Sequence, residues 1–279
     1  MPPGRGCAAE CVIAWQATRW LSAIVFVDTP LLCGHRGSGR GVVDGHRENT
    51  LGSFHAAAAA GLRWVEVDAR ITADDVLVAR HDPVVEDGRF VSEMPAAETD
   101  DLGLMRVGDL LEELPAEVAV DIDVKSSLED ALRPRERTTA ALVADLVARR
   151  AVKRRVLLSS FDPAALLIMR ERAPGVPVGL LTWTRFPLRK AIAAAVHLGA
   201  EVVAPNFTSF PLGGGEEPAL ERDVSESVRV AHRAGLQVLA WCPPPADADR
   251  LIDAGVDCVC VDDVPTVLAR GRPRVAGNL

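Results

Sequence analysis

The stretch Trp64-Val-Glu66-Val-Asp68-Ala-Arg-Ile71-Thr-Ala73-Asp74-Asp75-Val-Leu-Val-Ala-Arg80-His81 decides the fold. It contains two runs rich in β-branched and apolar residues, 64–71 and 76–80, with only residues 72–75 between them. Parallel neighbours need a crossover of about a dozen residues or more, so four residues cannot join them as parallel strands. The two runs are expected to form an antiparallel hairpin with Ala73, Asp74 and Asp75 in the turn. A regular hairpin is expected to set His81 level with Glu66, on cross-strand neighbours about 5 Å apart. Side chains alternate along a strand, so Glu66 and Asp68 share one face.

Outward from this hairpin, short apolar runs alternate with Ala/Leu/Arg-rich stretches. Further candidate strands are Leu31–Gly34, 118–124, 156–159, 176–181, 201–204, 236–241 and 257–261. Helical patterns fall at 51–60, 127–149, Pro163–Arg172, Leu188–Leu198, 224–234 and 246–254. Such alternation means βαβ units and a parallel sheet. Setting aside the hairpin strand leaves eight parallel strands, and residues 31–270 approach the length of about 250 typical of a (β/α)8 barrel. The expected fold is therefore α/β, a TIM (β/α)8 barrel with an extra antiparallel hairpin strand after the second barrel strand. Residues 1–30, with Trp15 and Trp20, are expected to form a loosely ordered N-terminal extension, and 271–279 a C-terminal tail. A doubly wound sheet would carry a G-x-G-x-x-G turn after its first strand. Gly37-Ser-Gly39-Arg-Gly41 lacks the third glycine at that offset and is expected to form a flexible loop.

Composition narrows the partners. The 279 residues are 48% hydrophobic and 25% charged, enough for a real core. A net charge of −8 argues against nucleic acid as the main partner. With no Tyr and 4% aromatics, base-stacking platforms are not expected either. No apolar run approaches the roughly 18 residues that span a bilayer. The N-terminus matches a signal peptide poorly, so a cytoplasmic location is expected. Six cysteines, at 7, 11, 33, 242, 258 and 260, show no C-x2-C spacing and read as reduced thiols. Cys258 and Cys260 share a strand face and read as small buried hydrophobes.

Barrel active sites gather at the C-terminal ends of the strands. Those ends carry His35 and Arg36, Glu66 and Asp68, His81 and Asp82, Asp123 and Lys125, and Asp262 and Asp263. Asp121, Asp123 and Lys125 share one strand face. Several carboxylates inside a small barrel are costly unless paired or metal-bound. Hard oxygen donors point to a divalent cation, Mg2+ or Ca2+, rather than zinc. Histidines, a divalent metal and fixed cations together suit phosphate-ester chemistry, where developing charge must be neutralised. Each residue singly reads as an ordinary hydrogen-bonded loop residue, and the case rests on their co-occurrence. The loop aromatics Trp183, Phe186, Phe207 and Phe210 are expected chiefly to pack on the barrel. The basic run 149–155 is expected to be a solvated helix end.

These residues carry a family resemblance. The chain resembles the glycerophosphodiester phosphodiesterases at His35-Arg36-Gly37, Glu48-Asn49-Thr50, Glu66-Val67-Asp68, His81-Asp82-Pro83, Asp123-Val124-Lys125, Ser160-Phe161, Trp241 and Asp262, in order. The resemblance implies a TIM barrel that hydrolyses small-molecule glycerophosphodiesters to an alcohol and sn-glycerol 3-phosphate with a divalent cation. It implies His35 and His81 as the acid–base pair, Glu66, Asp68 and Asp123 as metal ligands, and Arg36 and Lys125 as phosphate holders. Glu48, Asn49 and Trp241 are implied to support the site. Asn49 and Thr50 also suit a helix cap before Leu51. Three positions depart from the family pattern. Asp123 stands where Glu is usual, Trp241-Cys-Pro-Pro replaces Trp-Thr-x-Asn, and Val261-Asp262 replaces Thr-Asp. Asp121 is a competing ligand on the same face as Asp123. Two other readings remain open at this stage: a phospholipase D-like or lyase relative acting on lipid head groups, and a non-catalytic barrel that binds a phosphorylated ligand.

Overall fold

The computed structural model describes residues 24–150, 154–211 and 222–271. The strands in chain order are β1 (Leu31–Gly34), β2 (Val42–Val43), β3 (His46–Arg47), β4 (Trp64–Ile71), β5 (Leu77–Ala79), β6 (Ala119–Val124), β7 (Val156–Ser160), β8 (Val178–Thr182), β9 (Val202–Pro205), β10 (Gln237–Trp241) and β11 (Cys258–Val261). The helices are α1 (Leu51–Ala59), α2 (Ala96–Asp101), α3 (Val107–Glu113), α4 (Thr139–Arg150), α5 (Pro163–Arg172), α6 (Leu188–Leu198), α7 (Val224–Arg233), α8 (Pro245–Asp253) and α9 (Val264–Ala269). Strands β1, β4, β6, β7, β8, β9, β10 and β11 pair in parallel in that order, and β1 bonds to both β11 and β4. The ring is closed, which makes it a TIM barrel and excludes the doubly wound sheet.

The strand pattern explains the layering. Val65, Val67, Val120 and Ile122 point outward and pack with the helices. Alternate residues Trp64, Ala119, Leu157, Val202, Leu239 and Cys258 fill the lower barrel interior. Above them on β4 and β6 the inward positions become Glu66, Asp68, Asp121 and Asp123, so the polar end of the barrel is written into the same two strands. Asp162, Asp223 and Asp263 cap α5, α7 and α9 by accepting from backbone N–H groups. These caps start the helices at fixed points after the strands.

The extra strand β5 pairs antiparallel with β4 as expected, but in another register. Ala69 faces Ala79 and Ile71 faces Leu77, so His81 falls one step away from Glu66. The cause is the loop. Thr72 N–H donates to Val76 O, which leaves three residues in the turn, and Asp75 adopts φ 67°. A three-residue loop with a left-handed last residue sets this parity. A second hairpin, β2–β3, follows β1, where the sequence pattern shows no candidate strands.

Three other expectations change. The helix expected over 127–149 is broken into short 3-10 turns at Leu128–Leu132 and Arg135–Arg137, and only then α4. Pro134 lies between those turns and has no N–H for a continuous helical ladder. The glycine-rich segment after β1 is pinned rather than loose. Gly37 has φ +99°, and a Cβ there would lie 2.4 Å from Ser53 Oγ. Arg154 is no solvated cation: its guanidinium donates to the carbonyls of Leu114, Pro115 and Val118.

The described part of the expected N-terminal extension also belongs to the barrel. Val25 and Phe26 are buried against the lower interior, with Phe26 edge-on to Trp64 at 5.1 Å. Gln237 Oε1 accepts from the backbone N–H groups of both, and Gln237 Nε2 donates to Phe26 O. Trp15, Trp20, Cys7, Cys11 and the tail 272–279 lie outside the described residues. Among the described residues no helix is long and apolar enough to cross a membrane. Because Phe26 is only 1% exposed, Phe26→Ala is expected to destabilise the fold by about 3–5 kcal/mol. Urea unfolding of the variant beside the parent measures this. A loss below about 1 kcal/mol would mean that Phe26 is not part of the barrel's core.

Candidate active site

The site begins with an unusual backbone. Arg36, two residues after β1, has φ 52°, and Asn49, two residues before α1, has φ 56°. Such left-handed conformations cost a non-glycine residue roughly 1–2 kcal/mol and persist where surrounding contacts impose them. Here the contacts are specific. Arg36 N–H donates to Glu66 Oε2 at 2.9 Å, and Asn49 N–H donates to Arg36 O at 3.0 Å. Asn49 Nδ2 donates to Asp68 Oδ2 at 2.9 Å, while Asp68 N–H donates to Asn49 Oδ1 at 3.3 Å. Thr50 alone caps α1, accepting from Ser53 N–H. The dual capping role expected of Asn49 and Thr50 thus divides, and Asn49 orients the carboxylate of Asp68.

Asp68 has no solvent exposure. Burial alone would raise its carboxyl, but Lys125 and Arg36 outweigh it and hold Asp68 well below the ordinary carboxylate range. Arg36 Nε lies 3.1 Å from Asp68 Oδ2, and Lys125 Nζ lies 3.0 Å from Asp68 Oδ1. Lys125 Nζ also bonds Asp123 Oδ2. Arg36 Nη1 donates to Glu48 Oε1 at 2.9 Å, and Glu48 in turn binds the Gly41 backbone at the β2 turn. Glu48 therefore holds Arg36 and its loop and stands outside the carboxylate trio.

Register places the acids in two tiers: Glu66 lies level with Asp121, and Asp68 with Asp123. Oxygen atoms of Glu66, Asp68 and Asp123 all lie within 4.8 Å of one another. Asp123 Oδ1 is buried without a hydrogen-bond donor, and Asp68 Oδ1 meets only the ion-pair contact of Lys125. Burial, reinforced by the neighbouring Asp68, raises the carboxyl of Glu66, and burial likewise raises that of Asp123. Hard, partly unsatisfied oxygens in one pocket fit an Mg2+- or Ca2+-type cation. Asp121, the competing ligand, accepts a hydrogen bond from Ser159 Oγ at 2.6 Å and falls outside this trio.

Both histidines lie at the same mouth. His35 Nδ1 is 2.5 Å from Asp262 Oδ1, and its Nε2 is 3.8 Å from Glu66 Oε2. His81 Nδ1 is 2.8 Å from Asp82 Oδ1, and burial lowers the His81 imidazole from its ordinary value. His35, Arg36, Glu66, His81, Asp123, Lys125 and Trp241 line a single cavity of about 470 Å³. Asp68 is fully buried and does not line it, and Glu48 and Asn49 line a neighbouring cavity that also touches Arg36 and His81. The opposite wall is aromatic. Phe161 stacks on Trp183 with ring centroids 4.2 Å apart and meets Trp241 edge-on at 5.8 Å. Trp183 is 64% exposed, unlike Phe210, which packs into the core as expected.

Sequence reading did not place Ser159, Cys242 or the Asp262–His35 contact in the site. Cys242 Sγ lies 3.3 Å from His35 Nδ1 and 3.4 Å from Asp262 Oδ1, held there by a left-handed backbone at φ 54°. The departure from Trp-Thr-x-Asn marked that position as unusual, but only closure of β1 beside β11 brings it to the histidine.

A family model described as the glycerophosphoryl diester phosphodiesterase family matches residues 35–266. A Mycobacterium tuberculosis protein named probable glycerophosphodiester phosphodiesterase 2 is 29% identical over 246 residues, 80% of this chain and 86% of the relative. A glycerophosphodiester phosphodiesterase of Caldanaerobacter subterraneus is 24% identical, covering 85% of this chain and 96% of the relative. Among solved structures, an Oleispira antarctica phosphodiesterase in complex with the product sn-glycerol-3-phosphate superposes with a TM-score of 0.71 at 22% identity, covering 88% of this chain and 97% of that one. The Thermotoga maritima glycerophosphodiester phosphodiesterase gives 0.67 at 20% identity, covering 88% and 99%.

Asp121 supplies a test of the site's electrostatics. Burial, partly offset by the Ser159 hydroxyl, pushes its carboxyl up to about 7. In an unfolded chain an Asp titrates near 3.9, so the folded protein binds this proton more tightly. The stability it contributes is full below about pH 4 and is lost as pH rises toward 7. Asp121→Asn is expected to remove that loss. The variant should gain stability over the parent by a few kcal/mol more at pH 8 than at pH 4, on the order set by the shift. Denaturant titrations at both pH values in chelator check this, and a parallel pH dependence in the two proteins would contradict it.

Proposed function

Because the chain belongs to the glycerophosphoryl diester phosphodiesterase family, we propose that it hydrolyses small glycerophosphodiesters to an alcohol and sn-glycerol 3-phosphate with His35 and His81 as the proton-transfer pair. The observation that carries this reading is the shared cavity. Two histidines, each with a carboxylate on Nδ1, open on the same space as Arg36, Lys125 and the carboxylate pocket. The product seen in the Oleispira antarctica relative supports the same substrate class.

Each residue's part follows from its surroundings. Asp262 fixes the tautomer of His35 by accepting from Nδ1, which leaves Nε2 as the atom that exchanges a proton. Asp82 does the same for His81. One imidazole takes the proton of the attacking oxygen, and the other gives a proton to the departing alcohol. The depressed His81 value keeps that ring readily neutral near pH 7. Lys125 and Arg36 present positive charge to the phosphate, and their carboxylate partners hold them in position before substrate arrives. Glu66, Asp68 and Asp123 would hold the divalent cation, which supplies neutralisation of charge on the phosphoryl oxygens when bound. The Phe161–Trp183–Trp241 wall gives the departing group an apolar surface.

His35→Ala and His81→Ala are each expected to lower kcat by about 10²–10⁴-fold without changing the circular dichroism spectrum. Release of glycerol 3-phosphate from glycerophosphocholine, followed by a coupled assay, measures this. Parental turnover in either variant would reject that histidine. Chelation is expected to silence the enzyme, and Mg2+ or Ca2+ to restore it; full activity after exhaustive chelation would refute the cation's role. Because the carboxyls of Glu66 and Asp123 are raised, cation binding must displace protons, so affinity should fall as pH drops. Calorimetric titrations in buffers of different ionisation enthalpy detect that release. A pH-independent affinity would argue against these ligands.

A further inference from the structure

A second cluster of metal-ligating atoms lies on the far side of His35 from the carboxylate trio. His35 Nδ1, Cys242 Sγ and Asp262 Oδ1 lie within 4.8 Å of one another. The donors are nitrogen, thiol sulfur and one oxygen, a softer set than the three carboxylates. We propose that His35, Cys242 and Asp262 form a zinc site that captures the proposed catalytic histidine and shuts the enzyme down; the inhibitory effect rests on the reading of His35 given above, but the binding does not.

The geometry supports this. Zinc takes sulfur at about 2.3 Å, imidazole nitrogen at about 2.0–2.1 Å and carboxylate oxygen at about 2.0–2.2 Å, so tetrahedral ligand atoms stand about 3.3–3.6 Å apart. Sγ already lies 3.3 Å from Nδ1 and 3.4 Å from Oδ1. Only the Nδ1–Oδ1 edge, now 2.5 Å, must open. The Asp262 side chain is 36% exposed and can swing by that amount, whereas Cys242 is fixed by its N–H bond to Cys260 O. The fourth position is left to water.

The proton balance gives the consequence. Zinc replaces the thiol proton of Cys242, which passes to solvent, and a zinc–sulfur bond forms. At His35 zinc takes the Nδ1 lone pair, and the ring's single proton moves to Nε2. An imidazole metallated on Nδ1 and protonated on Nε2 has no free nitrogen with which to accept a proton. The carboxylate trio is untouched, so excess Mg2+ should not relieve the block. The residue that creates the site is the cysteine standing where the family pattern has a threonine.

The test uses the full chain with saturating Mg2+ throughout. Zinc affinity is measured by competition with a chromophoric zinc chelator, and Co2+ is added separately as a spectroscopic probe of sulfur ligation. The parent should show a near-ultraviolet sulfur-to-cobalt band that Cys242→Ser lacks. It should also bind one zinc ion at least tenfold more tightly than that variant. The zinc concentration for half-inhibition, relative to each protein's own zinc-free rate, should rise by a similar factor. Asp262→Asn provides a second arm should Cys242→Ser misfold, and is expected to weaken zinc binding as well. Equal zinc affinity in parent and Cys242→Ser, or inhibition without the sulfur band, would overturn the site. A silent protein that still shows the band would instead count against the phosphodiesterase reading and leave the zinc site standing.

Discussion

The organisation of the catalytic end depends on one buried carboxylate. Asp68 has no contact with water, and an isolated charge there would cost several kcal/mol. It stays ionised because Arg36, Lys125 and Asn49 converge on it from the segment after β1, the residue after β6 and the segment before α1. Removing Arg36 or Lys125 leaves that charge only partly compensated, so the cluster ties together three separate chain segments. The left-handed backbones of Arg36 and Asn49 follow from the same constraint. Local strain of a few kcal/mol is accepted because it brings an amide, a guanidinium and a backbone N–H to two carboxylates.

That cluster divides the barrel mouth into working halves. On one side, Glu66, Asp68 and Asp123 offer hard oxygens with unused lone pairs. On the other, the Phe161–Trp183–Trp241 wall is apolar. The histidines line the same cavity, each steadied through Nδ1 by an aspartate. The cationic centre and the apolar wall line the same cavity, so a charged and an apolar part of one bound molecule can each be met there. The sulfur of Cys242 sets a soft donor 3.3 Å from His35 Nδ1, while Nε2 of the same ring faces Glu66.

Much of the architecture was readable from residues alone. The 64–81 stretch demanded an antiparallel partner, and β5 supplies it. The acids at Glu66, Asp68 and Asp123, the cations at Arg36 and Lys125 and the histidines at His35 and His81 all fell at strand ends, and the barrel brings them together. The hairpin register differs from the regular one because a three-residue turn and a left-handed Asp75 shift the pairing by one, a parity that composition does not reveal. The helical periodicity over 127–149 does not become one helix because Pro134, lacking an N–H, breaks the ladder. Asn49 read as a cap because its residue type favours one, yet its amide is used across the barrel on Asp68.

What the sequence determined by itself was the alternation of strand and helix, the eight-strand count and the types of chemical group at the strand ends. Those follow from local preferences that act over a few residues. Only the tertiary structure decided which groups touch. Asp262 and Cys242 reach His35 from over two hundred residues away because the ring closes β11 onto β1. Asp121 and Asp123 share one strand face, yet one is satisfied by Ser159 and the other joins the carboxylate pocket. That difference is a matter of depth within a packed barrel, where a single tier changes every neighbour, and no spacing along the chain encodes it.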